Sequence, residues 1–169
     1  HTWLDPVMAK LQSKTILDAM KKVWPIHSQT FEKNYKALSA DLDILNQRFE
    51  AFKNMKLLAS HPAYNYISKR YGWDIINFDF DPSEPLNETQ IKALQAALEK
   101  KDRNIMLWEE MPIDSIRDNL DNQFAIKSIE FSPCESMTAA DLADGKDYLK
   151  VMLMNLNALE KLSQKSDNN

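Results

Sequence analysis

The side chains able to do chemistry gather after short apolar runs. His61 stands in the stretch MKLLASHPAYNYISKRYG, residues 55–72, directly behind the run Met55–Ala59. Asp79 and Asp81 follow the run WDIINF, and Glu109 and Glu110 follow RNIMLW. Ser132, Pro133, Cys134 and Glu135 follow AIKSIEF. An imidazole among carboxylates and one thiol can ligate a divalent metal or move protons. Acids after strands also serve solubility, and a lone histidine is often only a surface residue, so the set gains meaning from the elements that place it.

Apolar runs of about five residues have strand length. Met55–Ala59, Trp73–Phe78, Arg103–Trp108 and Ala125–Phe131 therefore read as four strands. Helical patterns lie between them: Pro62–Tyr71, with Pro62 at the first helical position and Gly72 at C′; Glu88–Lys100, capped by Asn87; and Pro112–Gln123. Residues 79–86 and Ser132–Gly145 read as loops, and Lys146–Gln164 as the last helix, with Tyr148, Met152, Leu156 and Leu159 on one face. Strands alternating with helices predict an α/β fold with a four-stranded parallel sheet and flanking helices. All strand carboxyl ends then share one side, where open sheets bind ligands.

Two long helices precede this unit. Asp5 is an N-cap with Pro6 at N1, and the helical spacing runs to Trp24-Pro25, where Pro25 disfavours a helical residue before it. The second helix spans about 28–52, with Phe31, Tyr35, Leu38, Leu42, Leu45, Phe49 and Phe52 stepping by four and three. Aromatics at four of these seam positions suit a globular core better than a two-stranded zipper.

Composition narrows the function classes. At 169 residues the chain fits one domain or two small ones, and 44% apolar with 27% charged residues suits a folded core. A net charge of −4 with interleaved signs argues against a nucleic-acid binder. No apolar stretch reaches the length of a membrane span. Two glycines speak against a Gly-rich phosphate loop, and one cysteine excludes an internal disulfide. There is no nucleophile elbow and no helix-borne H-E-x-x-H pair. The start at His1, without Met or leader, reads as a processed product or a piece of a longer chain.

Two motifs taken together carry a family likeness. HTWLDP at residues 1–6 resembles the D-P-H-x-W-(L)-x-P motif of the cluster A-I solute-binding proteins of zinc and manganese ABC transporters. Ser60, His61, Tyr64, Tyr66, Tyr71 and Gly72 match that family's S-H-x-x-F/Y-x-Y-x-x-x-x-Y-G pattern. The final helix GKDYLKVMLMNLNAL, with Asn155, resembles the family's closing helix. The likeness runs from His1 to about Leu162.

The resemblance implies the C-terminal lobe of a two-lobe, helical-hinge binding protein. It implies metal ligands at His1 and His61, and leaves Ser132 where the family's aspartate ligand stands, so that Glu109, Glu135 or water completes the set. Two imidazoles favour zinc over manganese, which prefers harder oxygens. Copper can be attracted to His1 as a by-product. Residues 1–24 are expected to link two lobes and carry the first metal motif, 25–164 to form the metal-binding lobe, and 165–169 to be a disordered tail. The implied partners are an ABC transporter permease and an N-terminal lobe of the same protein; a homodimer through the first helix, at Met8 and Leu11, is a further expectation. The implied location is periplasmic or extracytoplasmic, tethered as a lipoprotein in a Gram-positive source. The reading is a carrier and not an enzyme; the competing readings are a metal-independent α/β interaction module and, more remotely, a zinc hydrolase.

Overall fold

Leu57, Leu58 and Ala59 are all fully buried, so the strand that holds them is covered on both faces. The computed structural model, which describes residues 1–99 and 102–166, makes this strand β1 (Lys56–Ala59) and sets it inside the sheet. β2 (Asp74–Asn77), β3 (Ile105–Trp108) and β4 (Lys127–Glu130) complete the order β2-β1-β3-β4, with every pair parallel. The four-stranded parallel sheet expected from the sequence is present. Each strand is shorter than its apolar run. Ala125, for example, is the left-handed C-cap of the preceding helix, with φ 55°, and does not belong to β4.

Successive strand residues face opposite sides. Leu57, Ala59, Leu107 and Ile129 join one apolar core with Leu42, Leu45 and Phe49 of α2 (Ser28–Glu50), Ile67 and Tyr71 of α3 (Asn65–Tyr71), and Met152, Leu156 and Leu159 of α7 (Tyr148–Ser166). Leu58, Met106 and Trp108 face the other way, onto Leu94 of α4 (Glu88–Leu98) and Ile116 and Leu120 of α5 (Asp114–Phe124). Phe49, Tyr71, Trp73 and Phe131 form an aromatic cluster under the first face, with ring centroids 5.4–6.3 Å apart.

α1 (Pro6–Val23) is capped by Asp5, whose carboxylate accepts from Val7 N and Met8 N at 2.9 and 3.3 Å. A 3-10 turn at Pro25–His27 folds α2 back along it. Only the C-terminal half of the α2 seam is buried; Phe31, Tyr35 and Leu38 lie with Ile16, Leu17 and Met20 along a groove between α1 and α2.

Several boundaries differ from expectation: α5 begins at Asp114 and not at Pro112, and α7 runs to Ser166, into the expected disordered tail. α3 begins at Asn65 and not at Pro62, because Ala63 N donates to His61 O at 2.9 Å and closes a tight turn first. Residues 139–143 form a short helix α6 (Ala139–Ala143) inside the expected loop, started by a reciprocal Thr138–Asp141 capping box. α7 begins at Tyr148 because Asp147 caps it, accepting from Lys150 N at 2.8 Å. α4 ends at Leu98, and its expected last residue, Lys100, lies outside the described residues, as do 167–169 of the expected tail.

Candidate metal-binding cleft

β1 connects outward to β2 on one side, and the chain then crosses to β3 on the other, so the connections diverge between β1 and β3. Open parallel sheets bind ligands in the crevice outside such a point. The residues just past those two strands are Ser60-His61 and Glu109.

The backbone there is held on both sides. Ser60 N donates to Leu107 O at 2.9 Å, and Ser60 O accepts from Phe80 N at 3.0 Å. Ser60 is buried, and the chain leaves the sheet at His61, whose ring is 53% exposed. Its Nδ1 lies 3.8 Å from Asp79 Oδ1. Across the divide, Trp108 is buried in the second core and its carbonyl accepts from Phe131 N at 2.7 Å. Glu109 Oε1 is buried with no hydrogen-bond partner. Burial raises the Glu109 carboxyl above the usual range; the nearby His61 pulls it down and Glu135 pushes it up. A carboxylate oxygen buried without a donor is costly unless a cation joins it.

The third wall is the loop after β4. Asn155 of α7 is buried and grips Ser132 from both ends: its Oδ1 accepts from Ser132 N at 3.0 Å, and its Nδ2 donates to Ser132 O at 2.8 Å. Ser132 Oγ in turn accepts from Cys134 N at 3.2 Å, and Cys134 takes a left-handed φ of 57°. On the other side Trp3 Nε1 donates to Pro133 O at 2.7 Å, and Tyr148 OH donates to Trp3 O at 2.5 Å. Glu135 is thereby brought to the chain start, where its Oε1 pairs with His1 Nε2. The His1 ring lies 5.4 Å from that of Trp3. Asp5 fixes this start a second time, its Oδ2 accepting from Arg70 Nε of α3 at 2.8 Å.

The walls enclose a cleft of about 660 Å³. Six acids line it, Asp79, Asp81, Glu84, Glu109, Glu110 and Glu135, together with His61 and, among the described residues, no lysine or arginine. Such a lining favours cations. The expected ligands fall into two groups: His1 pairs with Glu135, and His61 stands near Glu109. Among the described residues no three His, Cys, Asp or Glu side chains are grouped closely enough to hold a metal ion. The donor types suit zinc nonetheless: imidazole nitrogen and carboxylate oxygen, with one carboxylate oxygen lacking a partner.

Cys134, His27 and the two tryptophans near the cleft take distinct places. Cys134 lines the grooves on the α7 side and not this cleft, and burial pushes its thiol up. His27 is exposed and touches Phe31 edge-on. Trp108 lines the cleft, whereas Trp3 buttresses its third wall. Sequence reasoning missed the Asp5–Arg70 contact and the nearness of Asp79 to His61. The first carries no sequence signal, since 65 positions separate the partners; the second follows once β1 and β2 are known to be neighbours.

A parallel sheet with its cleft at the switch point is the architecture of a ligand-binding α/β lobe. This chain belongs to the family ZnuA, described as "Zinc-uptake complex component A periplasmic", which it matches over residues 1–162. The zinc-binding lipoprotein AdcA of Streptococcus pneumoniae is 26% identical over 166 residues, covering 95% of this chain and 33% of that protein. The high-affinity zinc uptake system protein ZnuA of Bacillus subtilis is 23% identical over 165 residues, covering 95% of this chain and 52% of that protein. The crystal structure of the Zn(II)-bound ZnuA-like domain of S. pneumoniae AdcA superposes with a TM-score of 0.84 at 27% identity, over 95% of this chain and 62% of that one. The chain thus spans from a third to about half the length of these two curated relatives.

Proposed function

We propose that this chain is the C-terminal lobe of an extracytoplasmic zinc-binding protein that captures the ion and hands it to the permease of an ABC transporter. The observation that carries the reading is the unpartnered, buried Glu109 oxygen beside His61 at the switch point of an acid-lined cleft. Family membership and the zinc-binding relatives support it over a metal-independent interaction module. The relatives are zinc-uptake and zinc-binding proteins, which favours carriage of the ion over zinc-dependent hydrolysis.

Zinc takes about four ligands. His61 and Glu109 are offered from strand ends, where the backbone is held by hydrogen bonds to neighbouring strands. His1 and Glu135 pair with each other across the third wall, and the ion takes both once it replaces their mutual contact. Manganese, with its preference for carboxylate oxygens, is the second choice.

A further lobe of the same protein is the natural cover for α1 and α2. Leu11, Ile16, Val23, Trp24 and Ile26 are exposed on this hairpin, Ile26 by 88%. Without that cover, two copies of the chain meet through the first helix, at Leu11 and the partly covered Met8; light scattering at rising concentration reads a dimer, and a clean monomer throughout removes this expectation.

Thermal denaturation and calorimetry with zinc test the central reading. Binding to the folded state raises Tm in proportion to ln(1 + [Zn]/Kd). Wild type is expected to gain stability with zinc more than with manganese, and with an affinity weaker than nanomolar. His61→Ala and Glu109→Gln are each expected to abolish most of the gain. A wild-type Tm indifferent to zinc overturns the proposal.

A further inference from the structure

Asp79 owes its place beside His61 to the sheet. Past the end of β2 the chain stays paired with β1: Phe78 N donates to Ala59 O at 2.9 Å and Phe80 N to Ser60 O at 3.0 Å. Asp79 O accepts from Gln90 Nε2 at 2.9 Å, which ties it to the first turn of α4. Phe78 and Phe80 stack on each other, 4.5 Å between centroids, and pack into the second core. Alternate residues of an extended chain face opposite ways, so the residue between them points away from that core. The backbone of Asp79 is therefore fixed while its carboxylate is 99% exposed. Among the described residues that carboxylate makes one contact, the 3.8 Å approach to His61 Nδ1.

A neutral imidazole has one N–H and one bare nitrogen, and only the bare nitrogen binds a metal. Which one is bare is decided by the acceptor that takes the other's hydrogen. We propose that Asp79 positions His61 for the ion: it accepts the hydrogen bond from Nδ1–H, and leaves Nε2 as the ligand nitrogen. The proposal rests on the zinc reading above and adds to it a positioning residue from a different strand. At 3.8 Å the hydrogen bond is not closed. One rotamer change of a free carboxylate closes it, and the ion's charge on the ring strengthens the N–H as a donor. Glu109 and Glu135 also act on this region, but Glu135 is engaged by His1, and Glu109 is worth more as a ligand than as an acceptor. Partners of this kind change metal affinity by about 10–100-fold.

The test combines zinc titration with long-range nitrogen–proton NMR of the His61 ring, on wild type, Asp79→Ala, Asp79→Asn and His61→Ala. In zinc-loaded wild type, His61 is expected to carry its proton on Nδ1 and to show the metal shift on Nε2. Asp79→Ala is expected to weaken zinc binding by about 10–100-fold, with the zinc-free Tm unchanged because the lost carboxylate is exposed. Asp79→Asn, whose amide oxygen still accepts, is expected to recover most of that loss. Zinc bound through Nδ1, or Asp79→Ala binding zinc as wild type does while His61→Ala does not, overturns the positioning role and leaves the zinc reading standing. Wild type and His61→Ala responding to zinc alike overturns both.

Discussion

Asn155 sits in the last helix, yet its amide does the work of a strand partner for Ser132, with one donor and one acceptor in register. Substitution by leucine keeps the branched shape and removes both bonds, leaving the part-buried Ser132 N and O without these partners. Each such orphan costs about 1–3 kcal/mol. We expect Asn155→Leu to lower stability by roughly 2–4 kcal/mol and to weaken zinc binding further, because Glu135 hangs from the loop that Asn155 holds. Denaturant titration reads the first and calorimetry the second; an unchanged zinc affinity would separate Glu135 from the site. At this scale the sequence was informative about donors and silent about distances. The place of His61 and Glu109 at the carboxyl edge of the sheet was legible because each stands just past a strand. That His1 meets Glu135 rather than His61 depends on the turn at Cys134 and on Trp3 binding Pro133 O, contacts made across 130 positions, which no local pattern encodes.

Elements were legible where hydrophobic period was long. α1, α2, α4, α5 and α7 are where their apolar spacing predicts, and the strands lie within their apolar runs. Short elements escaped because capping overrides periodicity: α6 exists through the Thr138–Asp141 box, and α3 starts late because of the His61–Ala63 turn. The same capping logic makes Asp5 a joint between elements. One oxygen caps α1, and the other accepts from Arg70, which binds α1 to α3. Loss of an N-cap costs about 0.5–2 kcal/mol. Arg70 is about a third exposed, so its share is modest. Asp5→Ala is expected to lower stability by about 1–3 kcal/mol, while Asp5→Asn, which still caps, loses less. The residues that carry His1 lean on this joint, so Asp5→Ala is also expected to loosen the His1–Glu135 contact, visible as a changed His1 ring signal by NMR. An unaltered signal would mean that Trp3 alone holds the chain start.

Three phenols, Tyr64 and Tyr71 buried and Tyr148 partly so, connect the parts of the whole molecule. Tyr64 OH donates to Phe131 O at 2.9 Å, Tyr71 OH to Asn46 Oδ1 at 3.0 Å, and Tyr148 OH to Trp3 O at 2.5 Å. They join α3 to the end of β4, α3 to α2, and α7 to the chain start. Burial holds all three protons well above the ordinary phenol range, and Glu109, Asp5 and Cys134 respectively add to the effect. In the unfolded chain a phenol ionises near pH 10. Below that pH both states are protonated and the contribution is complete. Above it the unfolded state releases protons that the folded state keeps, so stability falls as pH rises. Each phenol contributes up to about 1.4 kcal/mol per pH unit, and three together roughly 4. Against a total of about 5–15 kcal/mol, unfolding is expected roughly one to four units above pH 10. Helical circular dichroism and the part of the tyrosinate absorbance that these three phenols contribute should change together in one step, because they ionise only as the fold opens. Tyr64→Phe should cost about 1 kcal/mol at neutral pH and make the alkaline decline about a third shallower. A decline that starts well below pH 10, or tyrosinate absorbance that is complete while the helices persist, would mean that the phenols are reached by solvent in the folded state and do not hold the lobe together.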